Sequence, residues 1–285
     1  MVGITVDCRM GNQLFQYAFI KSLSEKLHTS FYVNEKLGPF IAADFFDLEG
    51  YHPLINPLKR LLLKLQHEQP FRALQSVEIS DYHESEMAQL ADRKIYRGYF
   101  QSAAFFKDIA REISTYIRVK QTYRDEFSRM YGNLFSSKRV IAVHIRRGDY
   151  LNLNDWWLQN LGGNNLTLPA SYYEACIEKA GITKDDVLIF VSDDPEFVRC
   201  EFAHLPNSLF VNNSAIIDFQ IIMYADVCII ANSSFAWWAA YLNPKKEKQI
   251  FCPRYWLGFK IKKEYPVNII PAEWVQVDVG GDHTT

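Results

Sequence analysis

This chain of 285 residues has no excess of positive charge, no long apolar run and no evident secretion signal. Its 31 Lys and Arg are balanced by 33 Asp and Glu, and without a basic excess we expect no nucleic-acid partner. No run of about 18 uncharged apolar residues occurs, so the sequence predicts no integral membrane segment. The opening residues, Met1–Asp7, are typical of a core strand and not of a signal peptide.

Cysteine and glycine lack the spacings of common cofactor sites. The five cysteines are spread along the chain without a Cys-x-x-Cys pair, so they signal neither zinc ligation nor a redox motif. Unpaired cysteines favour a reducing compartment, and we expect a cytoplasmic protein. The Gly-x-Gly-x-x-Gly fingerprint is missing after the first predicted strand, which disfavours NAD as a cofactor.

Strands and helices are predicted to alternate in two parts of the chain. A β-α-β opening is predicted over residues 2–33, and a longer alternation runs over residues 138–252. Such alternation predicts right-handed βαβ units and parallel sheets. The sequence therefore predicts an α/β fold of two Rossmann-like domains facing a cleft, divided into residues 1–135 and 136–285.

The remaining segments give weaker signals. Residues 35–95 are predicted to hold short helices and loops, because aromatics and prolines interrupt any periodicity. Helices are predicted by periodicity at 102–119 and 123–134. The tail from Gly280 onward is expected to be disordered.

The most informative segment ends a predicted buried strand at 139–145. In open α/β sheets, ligands bind beyond the carboxyl ends of the strands. An anionic ligand is predicted there, because arginine forks match phosphate oxygens and the local residues are His144, Arg146, Arg147 and Asp149. A surface salt bridge between Arg147 and Asp149 is the alternative interpretation.

A second candidate segment, Gly11, Asn12 and Gln13, lies where the first strand passes into its helix. Glycine lets the backbone approach a ligand closely, and the first N–H groups of a helix favour anions. An ordinary strand-to-helix turn with Asn12 as the N-cap is the alternative.

A third candidate segment follows the strand predicted at 227–231. Asn232, Ser233 and Ser234 can cap the next helix or hold a phosphate at its amino end. Trp237 and Trp238 further along are interpreted as core residues in preference to sugar-stacking residues.

Four aspartates have competing interpretations. Asp218 and Asp226 bracket a predicted helix, and a buried aspartate beside a nucleotide can accept the paired N–H donors of guanine. N-capping is the alternative for Asp218. Asp193 and Asp194 admit a metal interpretation, but Pro195 after them favours capping of a helix, and we expect no metal site.

One stretch, residues 57–66, is apolar with Lys59, Arg60 and Lys64 mixed in. It is interpreted as a domain helix with solvated lysines. Peripheral contact with an anionic membrane surface is the alternative.

Taken in order, these segments resemble the α1,2-fucosyltransferase family, and most closely its bacterial soluble members. The resemblance rests on motifs at residues 11–18, 144–150, 190–195 and 218–238. These motifs occur in the right order and cover most of the chain outside residues 35–95.

The resemblance implies a GT-B-like glycosyltransferase in which residues 1–135 form the acceptor side and residues 136–285 bind GDP-fucose. It implies transfer of L-fucose to the 2-hydroxyl of a galactose on a glycan acceptor, with inversion and without a metal ion. No cofactor besides the donor substrate is implied, and the location is cytoplasmic, with the inner face of the membrane as the peripheral alternative.

The resemblance also implies roles for individual residues. Arg146 is expected at the β-phosphate and Asn12 close to the transferred sugar. The implied substrate-binding residues are Gly11, Gln13, His144, Arg147, Asp218, Ser233 and Ser234. Of these, His144 and Asp218 are expected near guanine and ribose, and the two serines near the diphosphate.

The base that accepts the acceptor's proton is left open. Related core α1,6-fucosyltransferases use a glutamate at the position where this chain has Asn154, with Asp155 beside it. Asp149, Asp155 and an acid on the acceptor side are the candidates. Two other functions stay open: a fucosyltransferase of α1,6 or α1,3 linkage, and a non-catalytic carbohydrate-binding protein. The binding protein would present a sugar platform of Trp156, Trp157, Trp237 and Trp238.

Overall fold

A computed structural model of the protein describes residues 1–65 and 76–280. The chain divides into two compact units, Met1–Lys120 and Gln121–Thr285. The boundary predicted between residues 135 and 136 falls inside the helix Gln121–Ser137, whose Phe127 ring lies 5.2 Å from that of Tyr224 in the second unit. The polar residues at 133–138 mark the end of that helix and not a linker.

The first unit is built around a small parallel sheet covered by a long buried helix. Its strands are β1 Val2–Thr5, β2 Phe31–Asn34, β3 Phe46–Leu48, β4 Ser76–Glu78, β5 Ile95–Arg97 and β6 Ile117–Val119. Its helices are α1 Met10–Lys26, α2 Ala42–Phe45, α3 Asn56–Leu65, α4 Glu84–Met87 and α5 Ile113–Tyr116, and a 3₁₀ segment spans Ala103–Ile109. Within the described residues the parallel sheet has the order β2-β1-β5-β4, and β3 pairs with β6 antiparallel.

The β-α-β opening is confirmed, but the single helix predicted over 102–119 is wrong. Ser102 begins the 3₁₀ segment by accepting a hydrogen bond from the Ala104 N–H (3.2 Å). Phe106 then breaks the helical geometry with φ of −131°. The chain ends this stretch as β6, because pairing with β3 is available there.

The second unit is a doubly wound parallel sheet. Its strands are β7 Val140–Ile145, β8 Val187–Ser192, β9 Ser208–Phe210, β10 Val227–Ile230, β11 Gln249–Pro253 and β12 Val275–Val277. Its helices are α6 Gln121–Ser137, α7 Asp155–Leu161, α8 Ala170–Lys179, α9 Pro195–Phe202, α10 Ala215–Tyr224 and α11 Ser234–Tyr241, and a 3₁₀ turn spans Gly148–Leu151. The predicted alternation over 138–252 is therefore confirmed element by element, whereas α7 and β12 were not predicted.

The order of the strands in this sheet is β9-β8-β7-β10-β11-β12. Numbered from β7, this is the order 3-2-1-4-5-6 of Rossmann sheets, in which the direction of winding reverses between the first and fourth strands. Here the reversal lies between β7 and β10, which pair directly from Val227 with Ile141 to Ile230 with His144. Ligands of such sheets bind at the carboxyl ends of these two strands.

The two faces of β7 bury different groups. Ile141, Val143 and Ile145 pack into an apolar cluster with α8 and α9. Because side chains alternate along a strand, His144 lies on the opposite face, where its ring stacks on Phe235 of α11 at 5.7 Å.

Among the described residues, no helix has both the length and the apolar character needed to span a bilayer. The stretch 57–66 is helical as α3 up to Leu65, and Gln66 lies outside the described residues. The disorder predicted from Gly280 onward falls, apart from Gly280 itself, on residues 281–285, which also lie outside them.

Candidate active site

Arg146 lies directly beyond the carboxyl end of β7, at the reversal point of the sheet. Its Nη1 contacts Asp193 Oδ2 at 2.6 Å, and its Nη2 pairs with Asp149. The guanidinium also lies 5.5 Å from the centre of the Tyr150 ring. The side chain is only 17% exposed, so these neighbours hold a desolvated cation in one orientation.

Asp193 reaches Arg146 because Gly148 leaves room for it. A Cβ on Gly148 would lie 2.4 Å from Asp193 Oδ2, which is closer than nonbonded atoms approach. The other oxygen of Asp193 accepts a hydrogen bond from the Arg147 N–H at 2.9 Å. Asp193 therefore fixes both the arginine and the turn that follows it. Sequence analysis missed this role, although Gly148 directly after two arginines was an available signal.

Arg147 is directed toward α9. Its Nε contacts Asp194 Oδ2 at 2.9 Å, and its guanidinium lies 3.6 Å from the centre of the Phe197 ring. Asp194 also accepts a hydrogen bond from the Phe197 N–H at 3.1 Å, and this bond is the main cause that lowers the pKa of Asp194. The capping interpretation of Asp194 before Pro195 is confirmed. The alternative interpretation, an Arg147–Asp149 pair, is wrong, because Arg147 pairs with Asp194 and Asp149 pairs with Arg146.

His144 is a buried imidazole that stays neutral. Burial is the main cause that lowers its pKa to about 3, and the nearby charge of Arg146 lowers it further. Among the described residues its Nδ1 has no hydrogen-bond partner. A neutral ring with an open nitrogen can donate to or accept from an uncharged polar ligand.

The amino end of α11 lies beside His144, whose ring stacks on Phe235 of that helix. Ser233 is the N-cap, but its side chain makes no capping hydrogen bond. Asn232 donates to the Leu166 carbonyl at 3.0 Å, and its main-chain carbonyl accepts from the Tyr150 hydroxyl at 3.1 Å. The Tyr150 bond ties the turn after β7 to the start of α11. Side-chain capping by Ser233 was therefore wrong, and the first N–H groups of α11 are left without that partner.

Asp218 lies on the first turns of α10, where Ser214 is the N-cap, so the capping interpretation of Asp218 is wrong. Asn213 Nδ2 donates to Asp218 Oδ1 at 3.0 Å, and the Tyr131 hydroxyl donates to Asn213 Oδ1 at 3.1 Å. Burial raises the pKa of Asp218 to about 6, against the opposing effect of the Asn213 bond. No sequence signal pointed to this network, because Tyr131 is remote along the chain.

Asp226 has a different place and a different role. It precedes β10 and so lies at the amino edge of the sheet, away from the carboxyl ends. Its carboxylate accepts from the Val140 N–H at 2.8 Å and contacts Lys245 Nζ at 2.6 Å. Of the two aspartates that bracket α10, only Asp218 is on the side where ligands bind.

In the first unit, the first helix was expected to begin at Asn12, but α1 begins at Met10. Arg9 is the N-cap of α1, so Asn12 is not the N-cap, and its Oδ1 accepts from Gln101 Nε2 at 2.8 Å. Gln13 is 1% exposed, and its amide bonds to the carbonyls of Cys8 and Pro39 and to the Ala42 N–H. These bonds hold the Gln13 amide in place, and Gly11 is buried in the same helix turn; contact of either residue with the substrate stays a prediction.

The candidate bases lie in the segment after Arg147. Asp149 is half-exposed and paired with Arg146. Asn154 caps α7 by accepting from the Trp156 N–H at 3.2 Å, which makes exposed Asp155 the first helical residue.

The indole pair of α11 belongs to the core, as predicted. Trp237 and Trp238 are both 0% exposed, and Trp237 Nε1 donates to the Ile269 carbonyl at 2.8 Å. Neither ring offers a face to a sugar, which removes half of the proposed sugar platform. In the part of the chain that the structure describes, no group of three or more His, Cys, Asp and Glu is arranged to hold a metal ion.

Three curated relatives have informative names. The O-antigen biosynthesis glycosyltransferase WbnK of Escherichia coli is 34% identical over 132 residues, which are 45% of this chain and 42% of that protein. The α-1,2-colitosyltransferase of Escherichia coli is 24% identical over 94% of this chain and 96% of its own length. Galactoside 2-α-L-fucosyltransferase Sec1 of Mus musculus is 23% identical over 85% of this chain and 64% of its own length. The chain thus spans less than two thirds of WbnK and of Sec1.

Two solved structures share the fold. Fucosyltransferase NodZ from Bradyrhizobium has a TM-score of 0.52 at 14% identity, over 85% of this chain and 92% of that one. POFUT1 in complex with GDP has a TM-score of 0.52 at 12% identity, over 88% of this chain and 97% of that one. At such identities the likeness concerns the α/β fold with parallel sheets alone. A sequence profile of glycosyl transferase family 11 matches residues 1–275. The chain therefore belongs to glycosyl transferase family 11, as its resemblance to α1,2-fucosyltransferases predicted.

Proposed function

We propose that this protein transfers L-fucose from GDP-fucose to the 2-hydroxyl of a galactose on a glycan acceptor, with inversion and without a metal ion. One observation carries the proposal: a desolvated arginine, Arg146, at the reversal point of a Rossmann-ordered sheet, beside the uncapped amino end of α11. Cations and helix amino ends at such a point suit a nucleoside diphosphate.

The donor's nucleoside end is assigned to the α10 side of the site. Asp218 accepts the N1–H and N2–H donors of guanine through its carboxylate, and neutral His144 makes a hydrogen bond to guanine or ribose. The burial of both groups supports this assignment, since a partly dehydrated carboxylate gains most from paired N–H donors. Solved structures of NodZ and POFUT1 contain GDP, which agrees with a guanine donor for this fold.

The chemistry then centres on the leaving diphosphate. As the bond between the fucose anomeric carbon and the β-phosphate oxygen breaks, the sugar becomes oxocarbenium-like and the diphosphate gains negative charge. Arg146, Ser233, Ser234 and the first N–H groups of α11 are proposed to stabilise that charge. A donor placed in advance in this way typically contributes about 10²–10³ in kcat. Metal independence is proposed because these groups supply the positive potential, while Asp193 and Asp194 already have arginine partners.

Inversion requires a base that takes the proton of the attacking 2-hydroxyl. Asp149, Asp155 and an acid of the first unit stay the candidates. Asp149 is the half-exposed partner of Arg146, so a β-phosphate on that arginine would compete with its carboxylate. Asn12, with its amide held by Gln101, is proposed to contact the transferred sugar.

The wider arrangement is also part of the proposal. We infer a GT-B-like enzyme of two Rossmann-like domains facing a cleft, with the acceptor bound by the first domain and GDP-fucose by the second. A cytoplasmic location is proposed on the grounds of the unpaired cysteines.

GDP-colitose is a second candidate donor. The colitosyltransferase aligns with nearly the whole chain, and colitose is fucose that lacks its 3-hydroxyl. If a side chain of this site bonds to the 3-hydroxyl, GDP-colitose should be the poorer donor by several orders of magnitude. The relative kcat/KM of GDP-fucose and GDP-colitose therefore identifies the donor sugar.

The decisive experiment compares two arginines at opposite ends of β7. Arg146→Ala should lower kcat for transfer to lactose by about 10²–10³. Arg139→Ala, which removes the 2.8 Å pair with Asp186 at the amino end, should lower stability and leave kcat unchanged. Turnover should persist in EDTA, and NMR of the product should give an α1,2 linkage. Wild-type kcat in the Arg146→Ala variant contradicts the proposed role, and loss of turnover in EDTA contradicts metal independence.

A further inference from the structure

In helix α3 of the first unit, a polar side chain is buried and apolar side chains are exposed, which is the reverse of an ordinary amphipathic helix on a protein surface. Among residues 56–62, whose side chains the structure describes, the buried one is polar: Asn56 donates to the Val33 carbonyl at 2.8 Å and accepts from the Val33 N–H at 3.0 Å. These bonds complete the open edge of β2. Lys59 lies on the same side, with its Nζ on the Gly50 carbonyl and 5.1 Å from the centre of the Phe31 ring.

The large apolar side chains described at positions 54–62 are exposed to solvent instead. Leu54 is 83% exposed, Leu58 56% and Leu61 52%. The full set is Leu54, Ile55, Leu58, Leu61 and Leu62, and we call it the leucine stripe. Leu58, Leu61 and Leu62 share one face of α3 by their spacing of i, i+3 and i+4, and Leu54 and Ile55 lie in the turn directly before the helix. Isolated exposed leucines need no explanation, but a contiguous stripe marks an interaction surface.

The charge around the leucine stripe indicates the partner. Residues 51–65 contain Lys59, Arg60 and Lys64 and no acidic residue. A two-fold contact between copies of this chain would bring the same basic segment against itself, which is unfavourable. An anionic lipid surface offers both an apolar phase for the leucines and phosphate groups for Arg60, which is exposed beside them.

We propose that the leucine stripe is a membrane-docking surface, on which α3 lies in the plane of an anionic bilayer with Arg60 among the headgroups. The exposed leucines enter the boundary between headgroups and acyl chains, and Asn56 keeps the helix attached to β2. This docking is independent of the proposed transferase chemistry, because none of the side chains named for that chemistry belongs to the leucine stripe. It reverses the sequence interpretation of residues 57–66 as a helix with solvated lysines.

The test is sedimentation of the full-length protein with lipid vesicles at low salt. Vesicles of phosphatidylglycerol and phosphatidylcholine should bind the wild type, and vesicles of phosphatidylcholine alone should bind it less. Leu58→Gln/Leu61→Gln should weaken binding at least about tenfold, because each buried leucine contributes to partitioning. Arg60→Gln should weaken binding to the anionic vesicles about fivefold.

Matched controls come from the second unit. Leu209→Gln/Val275→Gln removes two apolar side chains of similar exposure, 41% and 43%, and should leave vesicle binding unchanged. All variants should keep the wild-type Tm, since the replaced side chains are exposed. The proposal is overturned if the wild type does not bind anionic vesicles, or if Leu58→Gln/Leu61→Gln binds them as well as the wild type does. It is also overturned if that variant instead abolishes a concentration-dependent dimer seen by light scattering.

Discussion

The buried carboxylate of Asp218 should lower the free energy of unfolding of the protein. Burial raises the pKa of its carboxyl from 3.8 to about 6. Between these two pH values the folded state binds more protons than the unfolded state, so the free energy of unfolding falls as the pH rises through this window. Above pH 6 the full cost of keeping an ionised carboxylate there is present.

The size of the cost follows from the two pKa values. A separation of about two pH units corresponds to about 3 kcal/mol. Asp218→Asn removes the charge and keeps an oxygen that can accept from Asn213 Nδ2. The variant should therefore be more stable than the wild type by about 3 kcal/mol at pH 8, which is roughly 6–12 °C in Tm. At pH 4, close to the lower pKa, the difference should shrink to about 0.5 kcal/mol.

The same substitution should weaken GDP binding, because an amide cannot accept both guanine donors. The loss of charge-assisted hydrogen bonds predicts at least about a tenfold rise in Kd. Thermal unfolding without ligand at pH 4 and pH 8, and calorimetry with GDP, measure the two effects. A lower Tm for Asp218→Asn at pH 8, or wild-type affinity for GDP, would refute the reasoning.

Asp226→Asn is the matched control, on the opposite edge of the same sheet. It removes the negative charge that pairs with Lys245, and the one remaining side-chain oxygen cannot serve both Lys245 Nζ and the Val140 N–H. Its Tm at pH 8 should fall, and its affinity for GDP should stay at the wild-type value. The two substitutions thus move stability in opposite directions, and only one of them alters binding.

Three further outcomes are expected. Gly148→Ala places a Cβ 2.4 Å from Asp193 Oδ2, so it should displace that carboxylate and lower kcat at little cost in Tm; an unchanged kcat would contradict the positioning role of Asp193. Asn213→Leu removes the hydrogen bond that lowers the pKa of Asp218, so the midpoint for GDP binding should move upward from about pH 6 in a titration of Kd; an unmoved midpoint would show that this bond does not control the carboxyl. Trp237→Ala should cost about 3–5 kcal/mol of stability in a denaturant titration, because the ring is fully buried; wild-type stability with reduced affinity for glycans would instead favour a sugar-binding role.

Local patterns predicted most of the second unit. Strands β7, β8 and β10 are runs of apolar and β-branched residues between helices of clear periodicity, and the burial of both faces makes such runs recognisable. Capping by Asp194 before Pro195 was equally local, since it depends on adjacent residues alone. The strand β12 was missed because it has three residues and mostly exposed side chains.

The first unit was harder to predict because its elements are short. β3 and β6 have three residues each and are stable only through pairing with each other. The inverted orientation of α3 was also beyond sequence analysis. Periodicity identifies an apolar face, but only the bonds of Asn56 to the edge of β2 decide that this face points outward.

The sequence by itself determined the alternation of strands and helices, the family, and the presence of cations where β7 ends, because all of these depend on residue types and spacings along the chain. The tertiary structure decided which carboxylate pairs with which arginine or lysine. Asp193 reaches Arg146 across a gap that Gly148 leaves open. Asp218, on the first turns of α10, lies toward the carboxyl ends of the strands, whereas Asp226, just after that helix, lies at their amino ends. Partners of this kind are set by strand pairing and packing between distant segments, and no local pattern records them.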